Sequence, residues 1–258
     1  MTFLILGCGW VGEAFAHAVK ACGHTVIVTT TNPAKQERFI AAGFTVLCVD
    51  FDTSIDISVF PEQVDYILNS IPATKQLGQE VLSHRFNQVV RVLEKVTYKQ
   101  QIFLSSVGVY PDESGLYTEE SAVDETSNLR YAEQRMQVCP RTTVYRLGGL
   151  FGQERIFAKY FQNRVCVTGG QPANFVHQED VLALLQLGFQ AQLQYSVYNI
   201  TAPEHPLKKE VILKSARRYG FSLPSSFTDE ASFQKVVSGE RIISELKYTF
   251  IYKSPLDF

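Results

Sequence analysis

The sequence predicts an α/β protein built on a doubly wound parallel sheet, with a smaller C-terminal region. Three observations predict it. Short apolar and β-branched runs alternate with segments of helical periodicity, which is the pattern of a parallel sheet covered on both faces. The N-terminal run Phe3 to Leu6 passes directly into closely spaced glycines and then into a helical pattern, giving a strand, a tight turn and a helix start in order. No internal repeat, low-complexity tract or linker breaks the alternation.

The first turn, Gly7-Cys8-Gly9-Trp10-Val11-Gly12, has G-x-G-x-x-G spacing, followed by Ala14, Phe15, Ala18 and Val19 at helical intervals up to about Gly23. Each glycine has a separate physical task. Gly7 allows the turn, Gly9 leaves no side chain between backbone and pyrophosphate, and Gly12 lets helix and strand approach closely. The helix start offers unpaired N–H groups and a positive dipole to phosphates. Between a buried strand and a helix this spacing reads as the dinucleotide-binding turn of a Rossmann fold, with a plain glycine-rich connection as the bland alternative.

The elements follow in order. His24 to Thr31 is β-branched and reads as a second parallel strand. An acid at its end would hold the ribose 2′-OH of NAD, whereas hydroxyl and basic side chains accommodate the 2′-phosphate of NADP. Thr29, Thr30, Thr31 and Asn32 stand there, followed by Lys35 and Arg38, with no acid. The expected cofactor is therefore NADP, with NAD possible; Lys35 and Arg38 read equally well as the solvated face of the next helix. Gly43 to Asp50 is a third strand, and Asp50 is either an adenine partner or a loop cap. Val64 to Pro72 is a fourth strand and brings Ser70 to the cofactor side. Ser83 to Val96 has helical spacing (Phe86, Val89, Val90, Leu93), and Lys99 to Ser106 is a fifth strand, with Ser105 also counted on the cofactor side.

That strand runs into Ser105-Ser106-Val-Gly-Val-Tyr110-Pro. With Val144-Tyr-Arg146-Leu-Gly-Gly149-Leu-Phe-Gly152, Asn174-Phe-Val-His177-Gln-Glu-Asp180 and Tyr198-Asn199-Ile, it resembles the extended and atypical short-chain dehydrogenase/reductases, the superfamily of NAD-dependent nucleotide-sugar epimerases and dehydratases. The resemblance covers nearly the whole chain. It implies that Ser106 is a catalytic hydroxyl, that Gly239 to Leu246 belongs to a segment closing over the substrate, and that a homodimer is possible.

The same resemblance calls for Y-x-x-x-K, because a phenol of ordinary pKa near 10 is no base at neutral pH without a cation beside it. The nearest match is Tyr131-Ala-Glu-Gln-Arg135. A second register competes with it. Extended members carry a Glu eight positions after the Tyr; if Glu133 is that residue, the Tyr position falls on Glu125 and the Lys position on Leu129, and the catalytic pair is missing. Val123 to Ser127 would then open the helix with acids and a capping hydroxyl.

Tyr110, Arg146 and His177 are the substrate-side candidates, although His177 and Asp180 also read as the turn into a helix spanning Val181 to Leu187. Pro203 to Tyr219 reads as a loop and a helix capped by Gly220. The expected organisation is a dinucleotide-binding core over 1–151 and a substrate-side region over 152–258, interleaved as one structural unit. The expected function is that of an NAD(P)-binding epimerase, dehydratase or reductase acting on a nucleotide-sugar-like small molecule. The alternative is a non-catalytic NAD(P)-binding sensor or partner-binding module.

Bulk composition narrows the field. The chain has 258 residues, 45% hydrophobic and 19% charged, with a formal net charge of -2. That balance gives no electrostatic footprint for nucleic acid or an acidic membrane surface, so neither is expected as a partner. Cys8, Cys22, Cys48, Cys139 and Cys166 form no C-x-x-C pair, so neither a zinc site nor a disulfide framework is expected. They read as buried small hydrophobes in a reducing cytoplasm. The N-terminal apolar run is too short to span a bilayer.

Overall fold

The structure, a computed structural model, describes residues 1–258. Strands β1 (Thr2–Leu6), β2 (Thr25–Thr30), β3 (Thr45–Cys48), β4 (Tyr66–Asn69), β5 (Gln100–Ser106), β6 (Thr142–Leu147) and β7 (Val197–Ile200) form one sheet, in the spatial order β7-β6-β5-β4-β1-β2-β3. β1 pairs in parallel with both β2 and β4, β2 with β3, and β4 with β5. The strand order reverses between β1 and β4. In such a sheet that reversal opens a crevice at the carboxyl ends of the strands.

The helices are α1 (Trp10–Ala21), α2 (Pro33–Ala41), α3 (Gln79–Lys95), α4 (Asn128–Gln137), α5 (Gln178–Gln190), α6 (Lys208–Tyr219) and α7 (Glu240–Leu246). Their starts are set by local chemistry. Asn32 caps α2 by accepting the Lys35 N–H, with Pro33 in the first turn. Ser127 caps α4 by accepting the Arg130 N–H. The expected capping hydroxyl of the segment Val123 to Ser127 is thus Ser127; the acids stand before the cap, where the Asp124 side chain takes the Thr126 N–H and hydroxyl and its carbonyl takes the Ser127 hydroxyl, which fixes a turn. α5 begins at Gln178, one turn-length before the expected Val181. Gly220 closes α6 in the left-handed region, with φ 73°.

The chain divides into two compact units, each discontinuous in sequence: Met1–Val109, Asp124–Tyr145 and Leu185–Val197 in the first, and Tyr110–Val123, Arg146–Leu184 and Tyr198–Phe258 in the second. In the first, Leu4, Ile5, Leu6, Val28, Ile67 and Leu68 have no solvent exposure. Strands hidden on both faces have to be this uniformly apolar, and each such side chain contributes roughly 1.5–3 kcal/mol of burial. Phe3, Phe15, Tyr66 and Phe189 pack ring against ring beneath α1 and the end of α5.

The second unit holds α6, α7 and three short parallel pairings: 115–117 with 235–237, 149–151 with 175–177, and 165–166 with 226–227. Asp180 accepts hydrogen bonds from the Tyr248 hydroxyl at 2.7 Å, from the Ile251 N–H at 2.7 Å and from the Tyr252 N–H at 3.2 Å. It thereby ties the C-terminal segment to α5. All five cysteines are free, as expected, but the expectation that all are buried is corrected at Cys22 and Cys48, which are exposed. Cys22 follows the last residue of α1, and Cys48 is the last residue of β3, the edge strand of the sheet. No helix is long and apolar enough to cross a membrane.

Candidate functional site

The first turn folds as its glycines require. Gly7 has φ 74°, and a methyl built on it would stand 3.1 Å from the Ile71 backbone nitrogen. Its N–H donates to the Thr29 hydroxyl at 2.8 Å, and the Cys8 N–H donates to the Thr29 carbonyl at 3.0 Å. The Ser70 hydroxyl donates to the Gly7 carbonyl, fastening the loop after β4 to the loop after β1 at the reversal of strand order. A methyl on Gly12 would lie 3.0 Å from both the Gly7 oxygen and the Ser70 Oγ, so this residue is small because α1 lies directly against the strand. Gly9 differs. A methyl there meets only the Gly7 oxygen, at 4.0 Å, so nothing in the protein requires that position to be bare.

Around this turn lies a cleft of about 580 Å³, lined by residues from the ends of β1, β2, β3 and β4. It brings together most of the residues expected from the sequence: Gly7, Cys8, Gly9, Thr30, Thr31, Asn32, Lys35, Asp50 and Ser70. Trp10, Val11 and Gly12 form the start of α1, with no side chain capping Gly9. A bare glycine over open space, an uncapped helix start and a cleft at the strand-order reversal fit a dinucleotide diphosphate.

The rest of the cleft wall is more specific than the sequence indicated. Asp50 turns its own loop, accepting the Asp52 N–H at 2.9 Å, while also lining the cleft. Arg85, from α3, reaches the rim. It binds both oxygens of Asp52 at 2.6 Å each and donates to the Pro72 carbonyl at 2.7 Å, and its hydrogen bond holds the Asp52 carboxyl below the usual carboxylate range. Sequence reading missed Arg85, because a single cation on the polar face of an amphipathic helix carries no motif. Thr29 was legible only as part of a threonine run. Burial, then the nearby Glu13 charge, push the Cys8 thiol up to about 12, so it is a thiol in the wall and not a thiolate.

Ser106 ends β5 at the carboxyl edge of the sheet, half-buried, and its Oγ accepts the Gly108 N–H at 3.1 Å. The hydroxyl proton is left to donate. Ser105 points the other way: its hydroxyl donates at 2.6 Å to Glu133, a carboxylate with no solvent exposure. A strand alternates its faces, so of two adjacent serines one faces the interior. The Arg130 guanidinium lies 3.9 Å from the second Glu133 oxygen and grips Glu125 through Nε at 3.0 and 3.1 Å.

The orientation of α4 distinguishes the two registers. Glu133 faces β5, and Leu129, one turn earlier, lies on the same face. A single point above Gly108 is 3.4 Å from both the Leu129 Cδ1 and the Ser106 Oγ. An apolar side chain therefore stands beside the Ser106 turn. Tyr131 and Arg135 lie about 200° around the helix from that face. The Tyr131 hydroxyl is 3.1 Å from Ser83 Oγ, and Arg135 donates to Asn87 at 2.7 Å, both partners one turn apart on α3. The structure thus brings Tyr131 and Arg135 to the α3–α4 contact.

In the second unit, Tyr110, Arg146 and His177 are all buried. The Tyr110 hydroxyl donates to Asn199 at 2.8 Å and accepts from Arg146 at 2.9 Å, and burial raises its pKa. His177 is stacked on Tyr252 at 3.7 Å between ring centroids, beside Phe151 and Phe258. Its Nε2 has no hydrogen-bond partner, its Nδ1 accepts the Glu179 N–H at 3.2 Å, and burial pulls its pKa down to about 4. These geometries are those of packed interior side chains.

Fold and cleft together are those of a dinucleotide-binding protein of the Rossmann type. The chain belongs to the NAD dependent epimerase/dehydratase family, whose model matches residues 3–145. It is 27% identical over 265 residues to Protein YeeZ of Escherichia coli (strain K12), covering 98% of this chain and 96% of that one. Among solved structures it is similar to a functionally unknown conserved protein from Silicibacter pomeroyi DSS, with 23% identity, coverage of 99% and 95%, and a TM-score of 0.79. It is also similar to the ADP-L-glycero-D-manno-heptose-6-epimerase of Helicobacter pylori, with 18% identity, coverage of 99% and 94%, and a TM-score of 0.79. The UDP-glucuronic acid 4-epimerase of Bacillus cereus, solved in complex with UDP-glucuronic acid and NAD, has 16% identity, coverage of 100% and 96%, and a TM-score of 0.79. At these identities the structural likeness carries the fold alone.

Proposed function

We propose that this protein is an NAD(P)-dependent epimerase, dehydratase or reductase, acting on a nucleotide-sugar-like small molecule. The observation that carries the reading is the turn around Gly7, Gly9 and Gly12 with its cleft at the reversal of strand order. The neighbouring structures support it, since the Bacillus cereus epimerase holds a UDP-sugar and NAD. The comparisons do not favour the alternative of a non-catalytic sensor or partner-binding module.

In this reading Gly9 and the N–H groups at the start of α1 take the pyrophosphate, Asp50 and the Arg85–Asp52 pair border the adenine, and Thr30, Thr31, Asn32 and Lys35 face the adenosine ribose. The cofactor supplies a hydride acceptor or donor when bound. The Ser106 hydroxyl, its oxygen already engaged by the Gly108 N–H, donates to the oxygen of the reacting carbon. Leu129 stands where the family resemblance calls for an amine, so proton transfer does not run through a Tyr–Lys pair. NADP is preferred because the end of β2 offers Thr31, Asn32 and Lys35 and no acid. A homodimer and a reducing cytoplasmic setting, which suits five free cysteines, complete the proposal.

The test is transfer of deuterium between labelled reduced cofactor and a panel of nucleotide sugars and their keto forms, read by NMR. Label appearing in a sugar supports the reading. Tight cofactor binding without transfer to any member of the panel would return the sensor to consideration.

A further inference from the structure

Glu13 lies in the first turn of α1 and stands among the cations that follow β2. Its Oε2 is 3.1 Å from Lys35 Nζ and its Oε1 is 2.6 Å from Arg38 Nη2, while Lys35 also donates to the Cys8 carbonyl at 3.3 Å. Glu13 is 23% exposed, Lys35 34% and Arg38 59%, so the carboxylate is the most enclosed member of the trio. Lys35 lines the cleft. The Asn32 Oδ1 caps α2 and the Thr30 Oγ1 accepts the Asn32 N–H, so what these two have left for a ligand is neutral hydrogen-bond donors. The charge that this end of the cleft presents is therefore Lys35, which shares one acid with Arg38.

We infer that Glu13 is the specificity-determining residue of the adenosine-ribose subsite, restraining the preference for NADP over NAD by competing with the 2′-phosphate for Lys35 and Arg38. The inference rests on the dinucleotide reading above. A 2′-phosphate carries close to two negative charges and must draw both cations away from Glu13 or share them with it. A free ribose 2′-OH makes no such demand and leaves the trio intact. The two dinucleotides thus respond differently to the same carboxylate. An isosteric loss of charge at position 13 acts on one and spares the other.

The experiment is calorimetric titration of NADP and NAD into the wild-type chain, Glu13→Gln, and the double variant Glu13→Gln/Lys35→Gln. Glu13→Gln is expected to tighten NADP about five- to tenfold, the worth of relieving two partly exposed ion pairs, and to leave NAD within twofold. Adding Lys35→Gln is expected to abolish that gain. The NADP advantage of Glu13→Gln is also expected to shrink as salt is raised. Unchanged NADP affinity in Glu13→Gln, or an equal shift for both dinucleotides, overturns the inference while leaving the dinucleotide site standing. Failure of the wild-type chain to bind either overturns both.

Discussion

The Ser105 hydroxyl lies 2.6 Å from a carboxylate oxygen of Glu133, and Glu133 has no solvent exposure. This contact sets the rotation of α4 against β5, and with it which helix residues reach the Ser106 turn. Replacing Glu133 with Ala strands a buried hydroxyl and removes the groups that face it. The expected cost is about 3 kcal/mol, in the range for breaking a buried charged hydrogen bond. Ser105→Ala, which leaves a carboxylate with one donor fewer, is expected to cost about 1–3 kcal/mol. Urea denaturation midpoints measure both, and losses below about 0.5 kcal/mol would show that the contact does not orient the helix.

Tyr131→Phe and Arg135→Gln are expected to keep both dinucleotide affinity and any turnover within about threefold, since their polar groups meet Ser83 and Asn87 on α3. Each removes one half-exposed hydrogen bond, so a stability loss of about 0.5–1.5 kcal/mol is expected. Turnover falling a hundredfold or more in Tyr131→Phe, with binding intact, would reinstate it as the proton donor.

Buried His177 gives stability a pH dependence with a definite sign. Its pKa is pulled down to about 4 in the folded chain, against an ordinary value near 6.5 when unfolded. The neutral ring is thus favoured by folding. The stabilisation is fully present above pH 6.5 and is lost progressively as the pH falls toward 4, because the unfolded chain takes up the proton first. Wild-type protein should therefore lose denaturation midpoint between pH 7 and 4.5 more steeply than His177→Phe. Parallel profiles for the two would remove His177 as the cause.

The elements of the sheet were legible because their causes are local. A buried parallel strand must be largely apolar, and Phe3 to Leu6 and Tyr66 to Leu68 announce themselves on that ground. The glycine turn was legible from its spacing between a strand and a helix, although the contacts that keep Gly7 and Gly12 small come from Ile71 and Ser70 in the loop after β4 and Gly9 answers to none. Ser106 was found through the family resemblance, and its partner Gly108 lies only two residues away. What was not legible depends on distant pairings. Arg85 enters the cleft only because Asp52 and Pro72, far from it in sequence, hold its guanidinium. The short strands at 115–117 and 235–237 find each other across more than a hundred residues, and neither is long enough to show a period. Tyr131 and Arg135 match a motif by spacing, yet the face of α4 on which they lie is fixed by Glu133, so the spacing alone could not place them.

Gly9 separates binding from folding more cleanly than any other position in the turn. Its missing side chain leaves room for a ligand, whereas Gly12 is packed against the Gly7 oxygen and Ser70 Oγ. The most direct measurement is therefore titration of NADP and NAD into wild-type protein and Gly9→Val, with the thermal midpoint of each recorded beside it. Micromolar or tighter binding by the wild-type chain, a loss of at least about a hundredfold in Gly9→Val, and midpoints agreeing within about 3 °C are predicted. Equal dinucleotide affinity in the two proteins would contradict the account, because the cleft beside Gly9 would then not be where the diphosphate sits.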